Sequence, residues 1–182
     1  MSFLNLEIKA RCSSPDLVRR VLKERKATFK GVDCQVDTYF NVPRGRLKLR
    51  KGSIENSLIH YCREDEVGPK KSIVTLYHPA ENSTLKEILT NSLGVLVVVE
   101  KTREIYFIEN VKFHIDTVDR LGTFVEIEAV DSSGVIGEET LQKQCEEYIN
   151  LFGIRAQDLI DHSYSDMILH PEAQPFSETR PI

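Results

Sequence analysis

The stretch Leu121-Gly122-Thr123-Phe124-Val125-Glu126-Ile127-Glu128 alternates between apolar and charged side chains along its second half. Because successive residues of a β-strand point to opposite faces of a sheet, Val125 and Ile127 share one face. Glu126 and Glu128 share the other. One face therefore suits an apolar core, and the fold depends on whether the two carboxylates face solvent or a second interior.

The same period of two recurs along most of the chain, between turns rich in Gly, Asn and Pro. It predicts strands over residues 3–11, 34–41, 46–51, 58–63, 72–77, 95–108, 111–118 and 124–130. Helical patterns begin at Ser14 and cover residues 82–93, 138–152 and 163–169. We therefore expect an α+β protein, a closed antiparallel eight-stranded β-barrel with flanking helices. We predict one domain over residues 1–170 and a flexible tail over 171–182.

Composition restricts the class of partner. Hydrophobic residues make up 41% of the 182 residues and charged residues 29%, which is typical of a packed domain. The formal net charge of -4 argues against a nucleic-acid partner. The longest apolar run, residues 93–99, is too short to span a bilayer, and the four cysteines form no CxxC pair. We expect a cytoplasmic protein without a membrane partner, either a monomer or a homodimer.

The charged faces of the predicted strands are sorted by sign. Basic residues group on the third and sixth strands, and acidic residues group on the eighth and partly on the first and seventh: Arg46, Lys48, Arg50, Lys101 and Arg103 against Glu7, Asp116, Glu126 and Glu128. For any strand taken alone, a solvated sheet face is the simpler explanation of its charges. However, solvated faces usually intersperse the two signs, and Lys101 follows an apolar run that suggests a strand covered on both faces.

Buried charges of both signs require partners, a ligand or a metal. Phosphate oxygens bind Arg and Lys, whereas Mg²⁺ or Mn²⁺ binds carboxylate oxygens together with substrate phosphates. A polyphosphate bridged by a divalent metal ion matches both sets of residues.

The segments described above resemble, in their order along the chain, the signatures of the CYTH superfamily. Residues 121–128 match its G-x-F-x-E-I-E strand closely, and Asn5-Leu6-Glu7-Ile8-Lys9 resembles its E-x-E-x-K motif. The other matching segments are residues 37–40, 46–50, 100–103, 114–116 and 163–166. The resemblance spans roughly residues 3–169. It implies the fold called the triphosphate tunnel, and the superfamily includes class IV adenylyl cyclases, thiamine triphosphatases and inorganic triphosphatases.

The resemblance also implies roles for individual residues. The implied triphosphate-binding residues are Lys9, Lys48, Arg50, Arg63, Lys101 and Arg103. The implied ligands of Mg²⁺ or Mn²⁺ are Glu7, Asp116, Glu126 and Glu128. We expect Glu7, Lys9, Lys101 and Glu126 to be the catalytic residues of a metal-dependent enzyme that acts on ATP or another small-molecule triphosphate, nearest the class IV adenylyl cyclase branch.

Three alternatives remain. The enzyme could be a triphosphatase that hydrolyses inorganic triphosphate or thiamine triphosphate. Because Asn5 replaces the first glutamate of the family motif, the protein could instead bind triphosphate without cleaving it. The charged residues could also serve only as ion pairs inside the barrel, while an apolar ligand conflicts with the charged faces. We further expect that clustered carboxylates resist ionising together, so that metal binding releases protons near neutral pH.

Overall fold

A computed structural model describes residues 2–63, 70–80 and 82–171, with side chains for 4–62, 74–80 and 82–171. The strands are β1 (Ser2–Arg11), β2 (Thr28–Phe40), β3 (Arg46–Lys51), β4 (Ser57–Arg63), β5 (Lys70–Tyr77), β6 (Val95–Ile108), β7 (Val111–Val118) and β8 (Gly122–Asp131). The helices are α1 (Pro15–Glu24), α2 (Leu85–Leu93), α3 (Glu138–Leu151) and α4 (Tyr164–Leu169). The predicted tail lies outside the described residues from residue 172 onward.

The eight strands form an antiparallel sheet with helices at its periphery, which confirms the predicted α+β class. Their spatial order is β1-β5-β4-β3-β2-β6-β7-β8, and every neighbouring pair is antiparallel. β1 pairs with β5 on one side and with β8 on the other, so the sheet returns on itself around a lumen. Each strand therefore has one face toward the lumen and one face outward.

The larger of two apolar core clusters lies outside the lumen, under the helices, whereas the smaller one includes Tyr39 and Tyr164, which line the cavity. Leu6, Ile8 and Ala10 on the outer face of β1 are almost fully buried, in one cluster with residues of β7, β8, α1 and α3. Helix α1 contributes Val18 and Leu22, which lie four residues apart and so occupy one side of the helix. Covering the outer face in this way leaves the alternate, charged residues of the same strands to face the lumen.

Most element boundaries agree with the sequence predictions, and two differ for local reasons. β2 begins at Thr28 rather than residue 34, because a register shift against β6 between Phe29 and Gly31 interrupts the alternation that a sequence pattern relies on. Helix α2 begins at Leu85 rather than residue 82, where Asn82 has a φ of 60°, outside the helical range. Within the described residues, no helix is both long and apolar enough to cross a membrane.

Candidate functional site

The lumen contains a cavity of about 560 Å³ whose lining includes charged side chains of both signs. The lining cations are Lys9, Lys30, Lys48, Arg50, Lys101, Arg103 and Lys112, and the lining carboxylates are Glu7, Glu55, Glu126 and Glu128. The structure thus brings together most of the residues singled out from the sequence. Arg63 lies at the end of β4, but its side chain is outside the described part of the structure.

Asp37 is the centre of the first ion-pair cluster. Its carboxylate is completely buried and accepts hydrogen bonds from Lys48 Nζ at 3.1 Å, Lys101 Nζ at 2.9 Å, and Arg50 Nε and Nη2 at 2.9 and 3.0 Å. Asp37 lies directly opposite Arg50 in the pairing of β2 with β3. Although burial disfavours its ionised form, these three cations hold the pKa of Asp37 well below its usual value. Asp37 therefore fixes three predicted triphosphate-binding cations in one place.

Lys101 has a pKa well below the usual value of a lysine. Burial lowers its pKa to about 7, and the nearby Arg50 and Arg103 act in the same direction, while Asp37 opposes them. An anion bound in the lumen would favour the charged ammonium form. The charge of Lys101 is therefore responsive to a ligand near neutral pH.

Arg103 organises the second cluster. Its Nε donates to Asp116 Oδ1 at 2.7 Å, and its Nη2 lies 2.5 Å from both Asp116 Oδ2 and Glu126 Oε2. Asp116 also accepts a hydrogen bond of 2.8 Å from the hydroxyl of Tyr164, which belongs to α4. Asp116 is fully buried behind Arg103 and does not line the cavity. Its position suits the orientation of Arg103 better than contact with a metal ion.

Glu126 also connects the acidic residues of the lumen. Its Oε1 pairs with Lys9 Nζ at 3.0 Å, and the same ammonium lies 3.5 Å from Glu7. His114 Nδ1 is 3.1 Å from Glu126 and 3.5 Å from Glu128. These contacts follow from register, because Lys9 and His114 both lie opposite Glu126 on the strands that flank β8.

The expectation that these carboxylates resist ionisation is wrong for Glu126 and Asp116. Burial alone would raise their pKa values, but Arg103 lowers both, and Lys9 further lowers that of Glu126. His114 is also no proton source at neutral pH, because burial and then Arg103 lower its pKa. Glu126 therefore faces the lumen in its ionised form without needing a metal ion to displace its proton.

Glu55 reaches the lumen from the loop between β3 and β4. Asp33 holds this loop by accepting hydrogen bonds from the backbone amides of Ile54 and Glu55 at 2.8 and 3.0 Å. Glu55 then accepts from Arg50 at 2.9 Å and from Lys112 at 2.6 Å. Neither Glu55 nor Lys112 was assigned a role from the sequence. The direction of the Glu55 side chain could not be predicted, because a loop lacks the alternating pattern of a strand. Lys112 lies two residues before His114 on the same strand face, so the sequence could have placed it in the lumen.

The oxygen donors of the lumen fit a hard divalent cation. Asn5 lies on the same face of β1 as Glu7, lines the cavity, and has a buried Oδ1 with no hydrogen-bond partner among the described residues. Glu7 lies opposite Glu128 in the pairing of β1 with β8. Carboxylate and amide oxygens are the ligands that Mg²⁺ and Mn²⁺ prefer. Glu7, Glu126, Glu128 and the neutral oxygen of Asn5 are therefore the residues that could hold such an ion.

Comparison with known proteins agrees with this description. The family model for the CYTH domain matches residues 4–164. No curated protein matches the sequence significantly. The fold is similar to that of PH1012 from Pyrococcus horikoshii, with 23% identity and a TM-score of 0.69 over 89% of this chain and 98% of that one.

Two further solved structures share the fold. A candidate adenylate cyclase from Vibrio parahaemolyticus is 17% identical, with a TM-score of 0.69 over 91% of this chain and 98% of that one. An adenylyl cyclase candidate from Hippeastrum, described as having a dominant triphosphatase activity, is 14% identical, with a TM-score of 0.60 over 95% of this chain and 98% of that one.

Proposed function

Because this chain belongs to the CYTH domain family, we propose that it is a metal-dependent enzyme that cleaves the phosphoanhydride bonds of a small-molecule triphosphate. One observation carries this proposal: Arg103 and the three cations that pair with Asp37 line the same cavity as Glu7, Glu126 and Glu128. A polyanion binds to the cations, and a metal ion that bridges its phosphates binds to the carboxylates.

The cations bind and orient the triphosphate. Arg50 and Arg103 offer planar guanidinium groups to phosphate oxygens, and Lys48 and Lys101 act as compact charges. Their positions are fixed in advance by Asp37 and Asp116, so little reorganisation is needed when charge develops on the phosphate being transferred. This preorganisation is the chain's own contribution to catalysis.

Glu7, Glu126 and Glu128 would hold Mg²⁺ or Mn²⁺, with Asn5 as a neutral oxygen donor. Such an ion, when bound, lowers the pKa of an attacking oxygen and neutralises phosphate charge. Lys9 stands between Glu7 and Glu126 and can stabilise a phosphate oxygen once the carboxylates contact the metal. Attack by water would release orthophosphate, and attack by the substrate's ribose hydroxyl would release pyrophosphate and a cyclic nucleotide.

Phosphorus NMR tests the proposal directly. Purified protein is incubated with ATP or tripolyphosphate and either Mg²⁺ or Mn²⁺, with the Lys101→Met variant as a matched control. We expect orthophosphate, or pyrophosphate with a cyclic monophosphate, and a loss of at least about a hundredfold in the variant. Binding of triphosphate without any product would assign the protein to the non-catalytic class that Asn5 suggested.

A further inference from the structure

His114 is a completely buried histidine to which the proposed chemistry gives no role. It lies on the inner face of β7, opposite Ile105 of β6 on one side and Glu126 of β8 on the other. Its Nδ1 is 3.1 Å from Glu126 Oε2 and 3.5 Å from Glu128 Oε1, while its Nε2 has no hydrogen-bond partner among the described residues. Within the described residues, the polar contacts of this side chain are therefore made to two carboxylates that line the cavity.

The Nδ1 atom of His114 acts as a hydrogen-bond donor in this arrangement. Both oxygens beside it belong to carboxylates, and an ionised carboxylate only accepts hydrogen bonds. Nδ1 therefore carries a hydrogen whether or not Nε2 is also protonated. The donor function of His114 does not depend on the charge of its ring.

Glu126 is fixed on one side by this donor. Its Oε2 accepts hydrogen bonds from both Arg103 Nη2 and His114 Nδ1. Its Oε1 pairs with Lys9 Nζ at 3.0 Å, and the same ammonium lies 3.5 Å from Glu7. With Oε2 held by two donors, Oε1 is the oxygen that remains on the side of Glu7, which is another candidate metal ligand.

The same donor also brings Glu128 toward Glu126. The two glutamates lie two residues apart on one face of β8, where side chains of like charge repel one another and tend to turn apart. The donor atoms of His114, Glu126 and Glu128 nevertheless all lie within 4.8 Å of one another. A single N–H group between the two carboxylates offsets their repulsion and makes them converge.

We propose that His114 is a positioning residue, whose Nδ1–H holds Glu126 and Glu128 in the orientation in which both contact one Mg²⁺ or Mn²⁺. This inference rests on the proposed function and adds to it a residue that touches neither the metal ion nor the substrate. Hydrogen-bond partners behind metal ligands typically contribute about tenfold to a hundredfold in metal affinity.

Two variants separate the hydrogen bond from the bulk of the ring. His114→Leu fills the site with an apolar side chain and removes the donor, whereas His114→Asn places an amide N–H near the position of Nδ1. Mn²⁺ binding to the protein, followed by electron paramagnetic resonance, should weaken at least about tenfold in His114→Leu and less than about threefold in His114→Asn. The control Ile105→Val, at a buried position opposite His114, should leave Mn²⁺ affinity unchanged.

Tripolyphosphate binding without divalent metal, measured by calorimetry, distinguishes positioning of the carboxylates from general support of the lumen. Asp37 and Asp116 hold the basic residues of β3 and β6, so the affinity for tripolyphosphate should stay within about twofold of wild type in all three variants. A loss of tripolyphosphate binding in parallel with Mn²⁺ binding would overturn the inference, because His114 would then be a merely structural residue.

Electron spin echo measurements on the wild-type protein with bound Mn²⁺ test the inference without any variant. We expect no coupling to a coordinated imidazole nitrogen, and such a coupling would overturn the positioning role by making His114 a metal ligand. Equal Mn²⁺ affinity in His114→Leu and His114→Asn, whether retained or lost, would also overturn the inference and leave the proposed function intact. If the wild-type protein binds no Mn²⁺, the proposed function fails together with this inference.

Discussion

Replacing Asp37 by asparagine should destabilise the protein and reorganise the basic part of the lumen. The substitution preserves the size of the side chain and one carbonyl oxygen, but it removes the one acidic partner that Lys48 and Lys101 have within the described part of the chain. Arg50 retains Glu55 at 2.9 Å. Lys48, Lys101 and Arg50 then repel one another with reduced compensation, and the pKa of Lys101 falls further because Asp37 no longer raises it.

The contacts indicate how large the effect should be. Removing one partner of a buried ion pair costs about 3–5 kcal/mol, because the other charge stays buried. Asp37 is completely buried and pairs with three cations, so the upper part of that range applies. Against a typical unfolding free energy of about 5–15 kcal/mol, this loss should be easy to measure. A bound polyanion would replace the missing negative charge, so tripolyphosphate should restore part of the stability.

Urea unfolding followed by circular dichroism, with and without tripolyphosphate, tests this reasoning. The control is Asp119→Asn, because Asp119 is mostly exposed and pairs only with its exposed neighbour Arg120 among the contacts described, an arrangement worth about 0–1 kcal/mol. Stabilisation by tripolyphosphate should be greater in Asp37→Asn than in wild type. The account is refuted if the free energy of unfolding of Asp37→Asn lies within about 1 kcal/mol of that of Asp119→Asn. It is also refuted if tripolyphosphate stabilises Asp37→Asn and the wild-type protein equally.

Three further predictions concern the ligand and the metal. The pKa of Lys101 is about 7 and a bound anion favours its charged form, so the protein should take up a proton when it binds tripolyphosphate at pH 8, and its affinity should fall as pH rises above 7. Titration calorimetry in two buffers of different ionisation enthalpy measures the proton uptake, which Lys101→Met should abolish. Glu126→Gln and Glu128→Gln should each weaken Mn²⁺ binding at least about tenfold, as measured by electron paramagnetic resonance. The control Glu139→Gln, at an exposed position, should leave Mn²⁺ binding unchanged. Unchanged Mn²⁺ binding in both lumen variants would show that neither carboxylate is a ligand of the metal ion. Asn5→Glu adds a carboxylate beside Glu7 and should strengthen Mn²⁺ binding, and an unchanged or lower affinity would show that Asn5 lies away from the metal.

The charged interior could be predicted because a strand has a strict period of two. Once Val125 and Ile127 are assigned to the core, Glu126 and Glu128 must face the other way. The same argument places Lys101 and Arg103 of β6 and Lys48 and Arg50 of β3 on the inner face, and the structure has all four lining the cavity. Arg46, at the start of β3, instead pairs with Asp166.

The partners of these charges could not be predicted, because they depend on the register between strands and on loops. Asp37 lies on the same strand face as Gln35 and Tyr39, but only its position opposite Arg50 makes it the centre of an ion-pair cluster. Glu55 reaches the lumen through hydrogen bonds between its loop and Asp33, a contact between distant segments. For the same reason, Asp116 shared a face with His114 in the sequence but lies behind Arg103 in the fold.

A crystal structure with tripolyphosphate and Mn²⁺, using the anomalous signal of manganese, would test the central claim most directly. We expect phosphate density among Lys48, Arg50, Lys101 and Arg103, and an anomalous peak beside Glu126 and Glu128. A triphosphate bound on the outer surface, or a manganese ion away from these carboxylates with the ion pairs of Asp37 and Arg103 undisturbed, would contradict the account.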